Sequence, residues 1–152
     1  MVDYKFYDTS SLLKIVQNNC LPKEEMYLSS ISLKELENIK NSDKRSPDVK
    51  FAARTLANLI WEFPEKFKII FYKEDMIQPI VKAGLPINDD MRILATAIFF
   101  DNNYCPDEMI FVSDDILLKE TANLFFGDGI IESIEDNISR KYTGYKQVSM
   151  DE

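Results

Sequence analysis

Four carboxylates stand where a folded chain could bring them together: Asp8, Glu35, Asp90 and Asp115. Asp8 ends a short β-prone run, Tyr4-Lys5-Phe6-Tyr7, and Asp115 follows another, Met109 to Ser113. Asp90 leads a helical stripe in which positions 90, 93, 94, 97 and 98 share a face, and Glu35 lies beside Leu36 and Ile39, four residues after Ile31. Ligand sites in open α/β sheets lie outside the carboxyl ends of the strands, so this spacing predicts one acidic rim. Carboxylates held close repel one another and raise each other's pKa values. A divalent cation removes that conflict, and Mg²⁺ or Mn²⁺ needs only a few carboxylates because it keeps several waters. Such an ion can activate water for attack on phosphorus, and a pair of ions about 3.5–4 Å apart can stabilise both the attacking and the leaving oxygen. Each acid also has a plainer reading. Asp8, Asp90 and Asp115 are well placed as helix N-caps, and Glu35 completes a capping box with Ser32.

The elements that must position these acids alternate along the chain. A first strand, Tyr4 to Tyr7, leads to a helix carrying Leu12, Leu13, Ile15 and Val16, stopped by Asn18-Asn19 and Leu21-Pro22. A second strand is expected over Met26 to Ser30, then a helix capped by Ser32 that runs to about Asn41. Pro47 opens a long helix through about Glu62, with Phe51, Ala52, Thr55, Leu56, Leu59 and Ile60 predicted inward. Phe67 to Tyr72 is the next strand and Met76 to Lys82 a short helix. A helix starts at Asn88-Asp89-Asp90, Met109 to Ser113 is a strand, and a further helix runs to about Phe125. Gly127 and Gly129 frame a turn before a last short strand at Ile130-Ile131. The alternation predicts a three-layer α/β/α sandwich with a mostly parallel central sheet. One domain is expected over residues 1–135, followed by a polar tail over 136–152.

Composition narrows the chemistry. The chain has 152 residues, a size that suits one core, and no histidine, which excludes Ser-His-Asp and Cys-His mechanisms and almost all ordinary zinc sites. Cys20 and Cys105 read as free core thiols. No apolar run is long enough to cross a bilayer, and the N-terminus lacks a basic segment followed by an apolar one. The expectation is a cytoplasmic protein with no membrane partner. A net charge of −8 argues against phosphate binding over the surface as a whole, yet Lys40, Lys44, Arg45, Lys50 and Arg54 form a locally basic stretch. Lys44, Arg45, Lys50 and Arg54 are expected to contact nucleic-acid phosphates, against the plainer reading of a solvated loop and helix face. Trp61 could stack on a base, but core packing is the expected role.

The motifs resemble those of PIN domains. Phe6-Tyr7-Asp8-Thr9-Ser10-Ser11-Leu12-Leu13 is similar to the opening motif, and Ser32-Leu33-Lys34-Glu35-Leu36 to the second. Asp90-Met91-Arg92-Ile93-Leu94-Ala95-Thr96-Ala97 resembles the third and Phe111-Val112-Ser113-Asp114-Asp115 the fourth. The third and fourth most resemble the PIN domain that precedes PhoH-type ATPase domains, although no Gly-rich phosphate loop is present. The resemblance implies a metal-dependent nuclease, usually acting on RNA, with DNA as the alternative substrate. Asp8, Glu35, Asp90 and Asp115 carry over as metal ligands or orienters of water, and Ser10 and Ser113 as supporting polar groups. Asp114 could add a ligand, and Asp89, which precedes the third motif's aspartate, could substitute or assist. A homodimer is compatible with this picture, as is an inhibitory protein partner should the chain be a toxin. The competing readings are a non-catalytic PIN-like RNA- or protein-binding module and a response-regulator-type phosphoacceptor. The latter calls for adjacent acids near the first strand and a later Lys after a strand, whereas here the first strand ends in a single Asp8 and no Lys follows a strand in the right place.

Overall fold

The computed structural model describes residues 4–104 and 108–126, and the backbone of 131–132. The expected Gly127–Gly129 turn, Cys105 and the polar tail lie outside the described residues.

Five parallel strands build the sheet: β1 (Tyr4–Tyr7), β2 (Met26–Ser29), β3 (Phe67–Ile70), β4 (Met109–Val112) and β5 (Ile131–Glu132). Their order across the sheet is β3-β2-β1-β4-β5. The chain therefore steps outward from β1 to β3, then returns to the other side of β1 to lay down β4 and β5. The gap between β1 and β4 is the point where strand order reverses, and their carboxyl ends diverge there into different helices. In register, Phe6 and Tyr7 of β1 pair with Phe111 and Val112 of β4. Residues after Tyr7 and Val112 are thus brought side by side.

Strand alternation divides the interior into two cores. Phe6, Tyr27, Met109 and Phe111 face one side and pack against the fifth and sixth helices, α5 (Asp89–Tyr104) and α6 (Ile116–Asn123). The 3₁₀ turn Glu74–Ile77 and α4 (Gln78–Lys82) complete that layer. Tyr7, Met26, Leu28, Ile110 and Val112 face the other side, covered by α1 (Thr9–Gln17), α2 (Ser30–Lys40) and α3 (Pro47–Glu62). Both faces of a parallel sheet must be covered in this way, which explains strands that read as continuous apolar runs. Helix α5 is buried on several sides: Ile93, Leu94, Ala95, Thr96 and Ala97 are all fully inaccessible. Among the described residues no helix is long and apolar enough to cross a membrane.

The element order follows the sequence reading, with three local corrections. Helix α2 begins at Ser30, and its N-cap is Ser29, whose hydroxyl accepts from the Ile31 N–H at 3.1 Å. Ser32 is instead buried within the first turn, so the expected capping box with Glu35 does not form. Phe51 is exposed rather than inward, because the buried face of α3 is set by Ala52, Ala53 and Leu56. Trp61 is 87% exposed and takes no part in either core. Cys20, by contrast, packs against the second core.

Candidate active site

The switch point between β1 and β4 carries Asp8 and Ser113, each immediately after its strand. Asp8 is 3% exposed. It caps α1: its Oδ1 accepts from the Ser11 N–H at 2.9 Å. Its Oδ2 accepts from the Ser113 hydroxyl at 2.6 Å and, at a longer 3.4 Å, from Ser10. A carboxylate has about four acceptor sites, so three donors hold Asp8 and leave capacity for one more partner. Burial pushes its pKa up, and the bonds from Ser11, Ser113 and Ser10 pull against that shift. Capping and metal binding are therefore compatible in one side chain. Ser113, fully buried, also accepts from the Asp115 N–H at 3.1 Å. One hydroxyl thus ties the end of β1 to the loop that presents Asp115. Asp115 in turn caps α6 by accepting from the Leu118 N–H at 3.1 Å.

Glu35 enters from α2. The Thr9 hydroxyl donates to its Oε1 at 2.6 Å and lies 2.9 Å from the Ser32 hydroxyl. Burial raises the pKa of Glu35; the Thr9 bond lowers it, and Asp90, Asp89 and Asp8 raise it again. Asp90 stands in the first turn of α5 and makes no hydrogen bond or ion pair among the described residues. Burial raises its pKa, followed by repulsion from Asp115, Asp8 and Asp89. Helix α5 is pinned to the end of β2 by Ser29 and Thr96, whose hydroxyl oxygens are 2.9 Å apart, and Thr96 donates to the Arg92 carbonyl at 2.7 Å.

These four acids line one cleft of about 170 Å³, together with Thr9, Ser10, Leu13, Ile39 and Arg45. Two neighbouring acids do not line it. Asp114 pairs with Lys14 of α1 at 3.0 Å, its side chain 4% exposed. Asp89 pairs with Lys34 at 3.2 Å and Arg92 at 2.9 Å. Of the basic stretch, Arg45 reaches the cleft, whereas Lys44, Lys50 and Arg54 do not line it. Sequence reading missed Thr9, Ser32, Ser29 and Thr96 as supports, and Lys14 as the partner of Asp114. Thr96, a polar residue within an otherwise apolar helical stripe, was the one visible signal among them.

The donor set suits a hard divalent cation. It offers oxygen ligands only, and two of its members carry mutual repulsion that no lysine or arginine within the cleft other than Arg45 could relieve. Among the described residues no three acidic side chains converge on one point as they stand. The carboxylates surround a space rather than a tight cage, an arrangement compatible with Mg²⁺, which binds through one or two carboxylates and retains waters.

The PIN domain family model matches residues 6–125. No curated protein sequence matches the chain. Among solved structures, a chain from the crystal structure of VapBC2 of Rickettsia felis, bound to a DNA fragment from their promoter, shares the fold. Its TM-score is 0.52 at 17% identity, covering 87% of this chain and 98% of that one.

Proposed function

This chain belongs to the PIN-domain family, and we propose that it is a divalent-metal-dependent nuclease that hydrolyses phosphodiester bonds, with RNA as its substrate and internal cleavage as its mode. The observation that carries this reading is the convergence of Asp8, Glu35, Asp90 and Asp115 on one cleft at the β1/β4 switch point.

In this reading the four carboxylates hold Mg²⁺ or Mn²⁺. A cation bound there would supply a Lewis acid for a phosphoryl oxygen and lower the pKa of water near the scissile bond. The chain's own groups do the rest. Ser11, Ser113 and Ser10 fix both oxygens of Asp8, so that its position is set before substrate arrives. Thr9 fixes one oxygen of Glu35, and Oε2 is left to accept a proton from an attacking water or to meet the cation. Arg45, at the same cleft, is placed to pair with a phosphate and offset the acidic wall against a polyanion. Asp114 and Asp89, each held by a cation of the protein, stay outside the ligand set.

The test is incubation of purified protein with single-stranded RNA, structured RNA and DNA in Mg²⁺, Mn²⁺ or EDTA, with product ends mapped. Internal cleavage of RNA that needs the metal is expected. Absence of cleavage, together with a melting temperature indifferent to millimolar metal, would replace the enzyme with a non-catalytic binding module.

A further inference from the structure

The outer face of α3 carries exposed aromatic and cationic side chains that neither core nor the cleft uses. Phe51 is 65% exposed and Trp61 87%. Arg54 is exposed and Lys50 half-exposed. At 100° per residue, positions 50, 51, 54 and 61 fall within about a third of the helix circumference. The opposite side, Ala52, Ala53 and Leu56, packs on the sheet side against α1 and α2. Large aromatics left in water at helical spacing mark an interaction surface more strongly than scattered apolar residues do.

The charge on this face identifies the occupant. Between Lys44 and Arg54 there are four cations and one acid, in a chain whose net charge is −8. Within α3 the acids are Asp48 and Glu62, at the two ends of the helix, with none between them. Alternating aromatic rings and cations are the means by which proteins hold a single strand: bases stack on the rings while phosphates meet the cations. Arg45 lines the cleft and Ser46, the next residue, caps α3, a helix of 16 residues and roughly 24 Å.

We propose that the outer face of α3, from Lys44 and Arg45 through Lys50, Phe51 and Arg54 to Trp61, is a binding track for single-stranded nucleic acid that feeds the acidic cleft. The proposal rests on the nuclease reading for what lies at the end of the track, but binding to the track is measured without cleavage.

Trp61 is the only tryptophan in the chain, so intrinsic emission reports this position alone. The full chain in EDTA is titrated with a 12-nucleotide single-stranded RNA, following Trp61 emission and the anisotropy of a labelled RNA together. Emission should be quenched with the same midpoint as the anisotropy change. Trp61→Ala and Phe51→Ala should each weaken binding by about 5- to 150-fold, the range for loss of one base–aromatic stack. Trp61→Phe should keep most of the affinity, and a duplex of the same sequence should leave the emission unchanged. Both residues are exposed, so unchanged melting temperatures will show that the variants fold. RNA binding with unchanged emission and unchanged affinity in both alanine variants would overturn the proposal. So would an emission change that follows protein concentration alone, which would make the face a contact between copies of the chain. A trinucleotide still cleaved by a protein whose α3 variants bind RNA normally would retain the nuclease and remove the track.

Discussion

Replacing Asp90 by Asn should stabilise the metal-free protein at pH 7 while abolishing its response to metal. Asp90 is half-buried, has no hydrogen-bond or ion-pair partner among the described residues, and faces repulsion from Asp115, Asp8 and Asp89. Burial and those charges raise its pKa above the ordinary 3.8. A raised folded-state pKa means that stability is complete below the unfolded value and is lost as the pH rises through the folded one. At pH 7 the folded state therefore carries the full cost of the ionised carboxylate, and Asn removes it. Three screened like-charge contacts at a partly exposed site cost about 1–2 kcal/mol together. The N-terminal dipole of α5 favours the charge by about 0.3–1 kcal/mol, so the net gain on substitution is about 1 kcal/mol. For a chain of this size that is about 2–4 °C in melting temperature. Melting in EDTA at pH 7 and at steps down toward pH 4 tests both sign and window, because the gain should shrink as the wild-type carboxylate takes up its proton. In metal at 100 times its dissociation constant the wild type should gain about 2.7 kcal/mol by linkage, and Asp90→Asn far less. A variant less stable than wild type in EDTA at pH 7, or stabilised by metal to the same extent, would refute the assignment of Asp90 to a strained ligand set.

Three further outcomes follow from the supporting contacts. Ser113→Ala removes a donor to a buried carboxylate and orphans the Asp115 N–H, and urea denaturation should show a loss of about 2–4 kcal/mol. Thr9→Val removes the 2.6 Å bond to Glu35. It should lower kcat or metal affinity by about 10- to 100-fold, as loss of groups that orient ligands does, while Thr9→Ser restores most of the activity. Lys14→Met removes an ion-pair partner of Asp114, whose side chain is 4% exposed, and should destabilise the fold by about 1 kcal/mol. Asp114→Asn should nevertheless retain the metal-induced rise in melting temperature.

The parallel sheet was legible because each strand ends at a polar break and each helix carries an apolar stripe, so the alternation alone specifies layers. Asp8 and Asp115 were visible at strand ends for the same reason, and strand order then makes Tyr7 and Val112 neighbours. What could not be read was contact across long separations. Thr9 and Glu35 are 26 residues apart, and Asp8 and Ser113 are 105 apart; no local rule pairs them. Lys14 and Asp114 belong to the same class, and their ion pair is visible only in the fold. The cap of α2 was misplaced by three residues because Ser29, Ser30 and Ser32 all have the cap's side-chain chemistry, and only the extended backbone at Ser29 decides among them. Helical spacing places Phe51 inward and aromatic character places Trp61 there, but the buried face of α3 is set by Ala52, Ala53 and Leu56, and both aromatics are exposed.

Cleavage by the acids of the β1/β4 cleft is what the proposed nuclease stands or falls on. The most direct measurement is single-turnover RNA cleavage in Mn²⁺ or Mg²⁺ by wild type, Asp8→Asn and Asp90→Asn, with melting temperature and RNA affinity recorded for each. Metal-dependent cleavage by the wild type, lost in both folded, RNA-binding variants, is the predicted result. Cleavage that survives in both variants would rule out these acids as the site, since a contaminating enzyme or a different site would then be responsible.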